Sequence, residues 1–169
     1  MIPKVIHLCW FSGDEYPDTI KKCIDSWRRI LPDFEIKIWT KEMALETDIR
    51  YVREAISVRK WAFAADVVRL WAIYHEGGVY MDSDIYILQR FDDFMTNGLV
   101  FFQEYHEILL HRFSMSNKLD ENGKNLSPSN IKGCGIQAAF FMGESENPIL
   151  KEMLDYYVNR DFIKQDGNI

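Results

Sequence analysis

Short apolar runs alternate with an amphipathic stretch before residue 40 of this 169-residue chain. Residues 5–11 are mostly apolar and precede a Ser-Gly-Asp turn, which predicts a buried strand. From Pro17 to Pro32 apolar residues recur every three or four positions, which predicts a helix. Apolar and charged residues then alternate over residues 34–38, which predicts a second strand. Strand, helix and strand in so short a segment are typical of a βαβ unit with parallel strands, so we predict an α/β fold.

The rest of the chain continues this alternation. Residues 41–57 read as short charged helical pieces, and residues 59–76 as a more apolar helix that ends at Gly77-Gly78, where glycine suits a left-handed C-cap. Strands are predicted over residues 79–81, 85–88, 99–103 and 137–142, and a last helix over residues 148–160. Residues 104–133 are polar and irregular, and so long a loop is usually functional. We expect a single domain over residues 1–169.

Composition excludes several classes of protein. Hydrophobic residues make up 47% of the chain and aromatic residues 14%, which is too apolar for a disordered chain. A formal charge of −6 argues against general binding to nucleic acid or to anionic lipid. The three cysteines form no CxxC pair and are expected as free thiols in a reducing compartment. We find no signal peptide and no transmembrane segment, and we expect a cytoplasmic protein, with peripheral attachment to the inner face of the membrane left open.

The strongest chemical feature is the sequence Asp82-Ser83-Asp84, which directly follows an apolar run. Residues two apart in an extended chain point to the same side, so the two carboxylates repel each other unless a cation lies between them. Mn²⁺ and Mg²⁺ take oxygen ligands of this kind and keep positions for phosphate oxygens. Ligands of open α/β sheets bind beyond the carboxyl ends of strands, where this motif is predicted to lie. A solvated acidic turn is the alternative for the bare tripeptide.

Three further residues are candidates whose spacing leaves two interpretations open. Asp66 and Arg69 lie on one face of the apolar helix, either as an ordinary ion pair or as buried functional charges. Trp10, at the end of the first strand, is either a core residue or a platform on which a flat ring stacks.

Other motifs with two close aspartates fit less well. An EF-hand loop needs an oxygen donor and then glycine at its fifth and sixth positions, where this chain has Tyr86 and Ile87, so that interpretation fails. A phosphotransferase would use Asp82 as the nucleophile and Asp84 as the acid and base. It would leave the helix with Asp66 and Arg69 without a role, so we disfavour it.

Three blocks in this order resemble a known family: IPKVIHLCWFSG, KKCIDSWRRILPDFEIKIW and RKWAFAADVVRLWAIYHEGGVYMDSDI. Together they resemble glycosyltransferase family 32, the DXD-containing sugar transferases. That family includes bacterial capsular polysaccharide transferases and a yeast α-mannosyltransferase, and the glucosylating toxins share its core pattern. The resemblance is close over residues 2–103 and looser over residues 136–150.

The resemblance implies a GT-A fold, a Rossmann-like nucleotide-diphospho-sugar transferase sandwich with a mostly parallel sheet. It implies that Asp84 binds Mn²⁺ or Mg²⁺ directly and that Asp82 contacts the ribose and reaches the metal. It also implies that Asp66 and Arg69 bind the donor sugar, with Arg69 near the diphosphate. The other donor contacts implied are Leu8 (through its backbone), Trp10, Tyr80 and Ser83.

The expected function is that of a metal-dependent retaining glycosyltransferase in surface polysaccharide or capsule synthesis. It would move a sugar from a nucleotide-sugar donor to a glycan or lipid-linked saccharide. A UDP-sugar is the favoured donor and GDP-mannose the next. A non-catalytic nucleotide-sugar-binding module is the rival, and no residue stands out as a covalent nucleophile. Residues 106–132 are candidates for acceptor contacts or a lid. We expect the two histidines of this tract, His106 and His111, to be solvated rather than to bind a metal. Since family members generally continue further, we expect a C-terminal segment to be missing.

Overall fold

The computed structural model describes residues 1–95, 98–127, 129–164 and 167. Its elements, in chain order within these residues, are β1 (Val5–Cys9), α1 (Asp18–Ile30), β2 (Glu35–Trp39), α2 (Lys41–Glu46), α3 (Arg50–Ser57), α4 (Trp61–Glu76), β3 (Gly78–Met81), β4 (Leu99–Tyr105), α5 (Glu107–Arg112), β5 (Cys134–Gly143) and α6 (Pro148–Val158). None of the helices in these ranges is both long enough and apolar enough to cross a bilayer.

The strands form one mixed sheet in the order β2-β1-β3-β5-β4. Strand β1 runs parallel to β2 and to β3, so the predicted βαβ unit with parallel strands is present. Strand β3 pairs antiparallel with β5, with Val79 opposite Met142. Because connected parallel strands need a crossover, α1 links β1 to β2, and helices α2 to α4 lie between β2 and β3 in the chain. The predicted α/β class with a mostly parallel sheet is confirmed.

The chain divides into two compact units, Met1–Val100 with Ala139–Ile169 and Phe101–Ala138. The first unit contains β1 to β3 and helices α1 to α4 and α6. The prediction of one domain over residues 1–169 stays a prediction. In the second unit, the tract predicted to be irregular contains helix α5 and a bridge between Leu119 and Asn125. Its His106 and His111 are exposed, each beside a glutamate, as expected for solvated histidines.

The core of the first unit lies between the sheet and its helices. Helix α1 buries Cys23, Ile24 and Trp27, which recur at the helical spacing predicted from the sequence. Helix α4 is apolar around most of its circumference because it is covered on several sides, by β1, α3 and α6. All four residues of β3 are buried, so the strand that leads into Asp82 is anchored on both faces.

Of two predictions about the backbone near β3, one is confirmed in part and one was wrong. Gly77 ends helix α4 with a positive φ of 68°, as predicted for a glycine cap, although its ψ of −176° differs from that of a left-handed helical residue. Residues 85–88 do not form a strand. Their backbone instead bonds to side chains of α1, since Ile85 O accepts from Trp27 Nε1 at 2.7 Å and Ile87 N donates to Ser26 Oγ at 2.9 Å. Ile87 is buried there, whereas Tyr86 and Leu88 are exposed.

Candidate active site

A cavity of about 370 Å³ lies beyond the carboxyl ends of β1 and β3, and we call it the DXD cavity. It is lined by Cys9, Trp10, Phe11, Ser12, Ile20, Trp61, Ala62, Ala65, Arg69, Tyr80, Asp82, Ser83 and Asp84. Six residues selected from the sequence therefore line one cavity: Trp10, Arg69, Tyr80, Asp82, Ser83 and Asp84. Two others, Leu8 and Asp66, do not line it.

Arg69 lies at the centre of a polar network on the wall of this cavity. Arg69 is only 7% exposed. Its Nη2 lies 2.8 Å from Asp66 Oδ1 and 3.8 Å from Asp82 Oδ1. The guanidinium also lies over the Tyr80 ring, 4.8 Å from its centroid, and its Nε donates to Ala65 O at 3.2 Å. The Tyr80 hydroxyl donates to Asp82 Oδ1 at 2.7 Å. The buried guanidinium of Arg69 thus links Asp66 on helix α4 to Asp82 of the DXD motif.

Electrostatics keeps the network in defined charge states. Burial lowers the pKa of Arg69, but nearby Tyr80 and the carboxylates of Asp82 and Asp66 more than offset this, so the net pKa is raised and the guanidinium stays charged. Burial raises the pKa of Tyr80 well above its usual value, which keeps its hydroxyl protonated as a donor to Asp82. Burial also raises the pKa of Asp66, and Arg69 only partly counteracts it.

The two aspartates of the motif differ in how much of their hydrogen-bonding capacity is used. Asp82 is held by Tyr80, and its backbone N–H donates to Ala139 O at 2.9 Å. Asp84 is exposed and makes no hydrogen bond or ion pair with any described residue. Oxygen donors from two carboxylates fit a hard divalent cation such as Mn²⁺ or Mg²⁺. The described residues contain no cluster of three or more His, Cys, Asp or Glu, so donor phosphates and water would supply the remaining ligands.

Leu8 lies within β1 and Trp10 directly follows the end of this strand, and the two residues have different surroundings. Trp10 is half-buried at the rim of the cavity, its Nε1 donates to Asp14 O at 2.8 Å, and Tyr16 packs edge-on against its ring. A fixed, partly open indole suits the platform interpretation better than the core interpretation. The Leu8 side chain is fully buried in the core, so only its backbone remains available for the contact that the resemblance implies.

Comparison with known proteins also indicates that this region of the chain is a sugar-binding region with a DXD motif. The profile of the family described as "Glycosyltransferase sugar-binding region containing DXD motif" matches residues 17–100, which include Asp66, Arg69 and the DXD motif itself. The chain belongs to this family. Its DXD motif is therefore Asp82-Ser83-Asp84, the only Asp-x-Asp in the sequence.

Several curated relatives of this chain have names that refer to a mannosyl group or its transfer. Inositol phosphoceramide mannosyltransferase 3 of Schizosaccharomyces pombe is 33% identical over 91 residues, which is 50% of this chain and 24% of the relative. Mannosyl phosphorylinositol ceramide synthase SUR1 of Saccharomyces cerevisiae is 31% identical over 91 residues, 50% of this chain and 23% of the relative. The chain thus spans about a quarter of the length of these relatives.

A solved structure, the PaToxG glycosyltransferase, has a fold similar to that of this chain. The TM-score is 0.64 at 20% sequence identity, and the match covers 93% of this chain and 60% of the other. The expectation of a glycosyltransferase fold of the GT-A kind is confirmed. At this identity the likeness concerns the fold alone.

The sequence analysis identified Arg69 on helix α4 but missed the residues of the first turns of this helix that also line the cavity. Trp61, Ala62 and Ala65 line the DXD cavity from the first turns of the helix. Trp61 and Ala65 precede Arg69 by eight and four residues, so the helical period places all three on one stripe, and this signal was available. Cys9 was also missed. Burial raises the pKa of its thiol to about 12, so the thiol is neutral at the cavity wall.

Asp66 faces away from the DXD cavity into a neighbouring one of about 510 Å³, which we call the second cavity. Its lining is Tyr51, Lys60, Phe63, Asp66, Tyr156, Tyr157, Arg160, Asp161, Phe162 and Lys164. The ion pair of Asp66 with Arg69 therefore joins one residue of each cavity.

Proposed function

We propose that this chain carries the donor-binding site of a metal-dependent retaining glycosyltransferase, which transfers a sugar from a nucleotide-sugar donor to a hydroxyl. One observation carries the proposal: Asp82, Asp84, Arg69 and Trp10 line a single cavity at the carboxyl ends of parallel strands. A site for a nucleoside diphosphate needs carboxylate oxygens for a cation, a fixed positive charge for phosphate and a flat ring for the base. This cavity holds all of these groups.

Each side chain has a role that its surroundings support. The Asp84 carboxylate has no partner among the described residues and can bind a metal ion. The Asp82 carboxylate is oriented by the Tyr80 hydroxyl, and the nearby Arg69 guanidinium partly offsets its negative charge. A bound Mn²⁺ or Mg²⁺ would neutralise negative charge that develops on the departing diphosphate. The buried guanidinium of Arg69 acts on the same charge from the helix side, and it needs no reorganisation because its position is already fixed.

The named relatives bear on the choice of donor. The names of both relatives refer to a mannosyl group, which supports a mannose donor such as GDP-mannose over the UDP-sugar favoured from the sequence. They also name inositol phosphoceramide products rather than a polysaccharide, so a lipid-linked acceptor gains support over capsule synthesis. Because the chain spans about a quarter of these relatives, donor, acceptor and cellular location are proposals for this chain.

Donor binding and turnover test the proposal. Thermal unfolding is followed with UDP-glucose, UDP-galactose and GDP-mannose, each with Mn²⁺ and each with EDTA. A cognate donor raises the melting temperature only with the metal, because a ligand that binds the native state alone stabilises it. If no donor does so, the proposed site is wrong.

Hydrolysis of the stabilising donor separates the enzyme from a binding module. A glycosyltransferase releases nucleoside diphosphate slowly when water replaces the acceptor, whereas a module that has lost turnover leaves the donor intact. A phosphorylated Asp82, detected by mass spectrometry after incubation with a phosphate donor, would instead support the phosphotransferase.

A further inference from the structure

The second cavity has a lining that the donor site does not explain. It lies between helices α3, α4 and α6 and the segment that follows α6, and every residue that lines it belongs to the first unit. At about 510 Å³ it has room for a sugar-sized ligand. Of the residues selected from the sequence, it contains only Asp66.

Aromatic rings form the wall of this cavity. Tyr51 packs edge-on against Tyr157 and Phe162, with ring centroids 5.1 Å apart in both pairs. These contacts hold the three rings in fixed positions in the cavity lining. Phe63 and Tyr156 remain 44% and 52% exposed, so parts of their rings are open to a ligand. Rigid aromatic rings give flat apolar contacts to a ring-shaped ligand at little cost in conformational entropy. Such a wall suits the CH faces of a saccharide.

Unpaired positive charge surrounds the same rings. Lys60, Arg160 and Lys164 line the cavity, and none of them forms an ion pair with another described residue. The two acidic residues of the lining are already engaged, Asp66 by Arg69 and Asp161 by Arg50, each at 2.8 Å. In a chain with a formal charge of −6, three unpaired cations at one cavity are complementary to an anion.

One of these cations is already positioned. The Arg160 guanidinium carbon lies 3.6 Å from the centroid of the Tyr156 ring, which holds it over the exposed aromatic face. A guanidinium fixed in this way presents its donors to an anionic group without losing much side-chain freedom on binding. The cavity therefore combines a surface for a ring with a donor for a negative charge.

We propose that the second cavity is the acceptor subsite and that it takes an anionic saccharide, a hydroxyl-rich ring bearing a negatively charged substituent. This inference rests on the proposed glycosyltransferase function, because an acceptor must meet the donor sugar. Asp66 provides the connection, since it lines the second cavity while its ion-pair partner Arg69 lines the DXD cavity. A hydroxyl bound beside Asp66 lies next to the wall against which the donor binds.

NMR titration of the ¹⁵N-labelled protein tests the ligand class directly, without donor. The probes are glucose 6-phosphate, glucuronate, neutral glucose and inorganic phosphate. We expect at least one charged sugar to bind about fivefold or more tightly than both glucose and inorganic phosphate, with shifts at residues of the second cavity. The charged sugar that binds identifies the substituent as phosphate or carboxylate. Equal affinity for glucose would indicate a neutral subsite, and equal affinity for phosphate a bare anion site; either result overturns the proposal.

Variants then locate the binding. Arg160→Gln should weaken the charged sugar about fivefold or more, because hydrogen bonds to charged groups are the stronger ones, and should leave glucose affinity within about twofold. Lys151→Gln removes the same charge from helix α6 outside the cavity and should change neither affinity. Equal loss in both variants, or none in Arg160→Gln, contradicts the assignment.

Binding of UDP and GDP with Mn²⁺, measured on the same samples, separates the two hypotheses. If a nucleotide binds and no charged sugar does, the acceptor subsite is wrong and the donor site stands. If charged sugars bind and no nucleotide does, the proposed function is wrong.

Discussion

The DXD cavity and the second cavity adjoin the same helix but have opposite chemistry. The DXD cavity presents Asp82 and Asp84, of which only Asp82 has hydrogen-bond partners among the described residues. The second cavity presents Lys60, Arg160 and Lys164 among aromatic rings, and none of these cations forms an ion pair within the described part of the chain. One is suited to a cation that carries a diphosphate, and the other to an anionic ring. Under the proposed function, the donor and the acceptor would be recognised by charges of opposite sign.

Helix α4 produces this difference through its period. Successive residues are rotated by about 100°, so residues four apart share one stripe and a shift of one position turns to another face. Trp61, Ala65 and Arg69 face the DXD cavity, whereas Phe63 and Asp66, three apart, face the second cavity. The 2.8 Å ion pair of Asp66 with Arg69 crosses between the two stripes. Variants on each side should therefore affect binding in one cavity more than in the other.

Asp84→Ala should have the largest effect and should separate the cavities most clearly. It removes the carboxylate that has no other partner, so metal-dependent nucleotide binding should disappear and donor hydrolysis should fall by about a thousandfold or more. Because Asp84 is exposed, the free energy of unfolding should change by less than about 0.5 kcal/mol. Calorimetric titration of nucleotide with Mn²⁺ and with EDTA measures the loss. Asp93→Ala, at an exposed aspartate outside both cavities, is the control. Unchanged metal-dependent binding in Asp84→Ala would refute the metal assignment.

Arg69→Met should come next and is the one change expected to affect both cavities. It removes the cation that both Asp66 and Asp82 approach, so donor hydrolysis should fall about a hundredfold. The unfolding free energy should fall by about 1–3 kcal/mol, less than for a fully buried pair because both carboxylates are partly exposed. Arg69→Lys keeps the charge and should recover most of the stability but less of the hydrolysis, since an ammonium lacks the planar stack on Tyr80. Hydrolysis at the normal rate in Arg69→Met would remove this residue from the mechanism.

The sequence predicts the DXD cavity far better than the second cavity, for a physical reason. Asp82 and Asp84 follow a single apolar strand, and the rule that ligands bind at strand ends then places them without tertiary information. Arg69 is signalled by a charge within an apolar helix. The second cavity instead brings together Tyr51 and Tyr157 from segments about a hundred residues apart, and no local pattern predicts that contact.

The same limit explains the error at residues 85–88. Their run of apolar and aromatic residues is typical of a strand, but it does not show which partner satisfies the backbone. Side chains of Ser26 and Trp27 bond to this segment from helix α1, almost sixty residues earlier, and they replace a neighbouring strand. The apolar run therefore predicts neither the exposure of Tyr86 and Leu88 nor the hydrogen-bond partner, since both depend on packing.

Tyr80→Phe should have a smaller effect, confined to the DXD cavity. It removes only the hydroxyl that donates to Asp82 Oδ1 at 2.7 Å, and a hydrogen bond of this kind contributes about 0.5–1.5 kcal/mol. We expect nucleotide affinity with Mn²⁺ to fall about threefold to tenfold, while binding of charged sugars in the second cavity stays unchanged. The matched control is Tyr86→Phe, which removes an exposed hydroxyl that accepts from Arg29. An equal loss in both variants would mean that Tyr80 does not orient Asp82.

Asp66→Asn should have the smallest effect on stability, and its sign depends on pH. Burial raises the pKa of Asp66 in the folded protein, so folding disfavours its charged form despite Arg69. Below the unfolded pKa, about 3.9, both states are protonated and the variant should match the parent. As pH rises through the higher folded pKa, the parent loses stability that asparagine keeps, so at pH 7 the variant should be as stable or slightly more stable. Urea unfolding at about pH 3 and at pH 7 measures the difference. The control is Asp25→Asn, since Asp25 pairs with Arg28 at the same i,i+3 spacing but is exposed. A variant that becomes less stable than the parent as pH rises would show that the ion pair outweighs the cost of burial. In that case Asp66 would stabilise the fold through its ion pair with Arg69. Its charge would then be explained by stability alone and would no longer support a role in the second cavity.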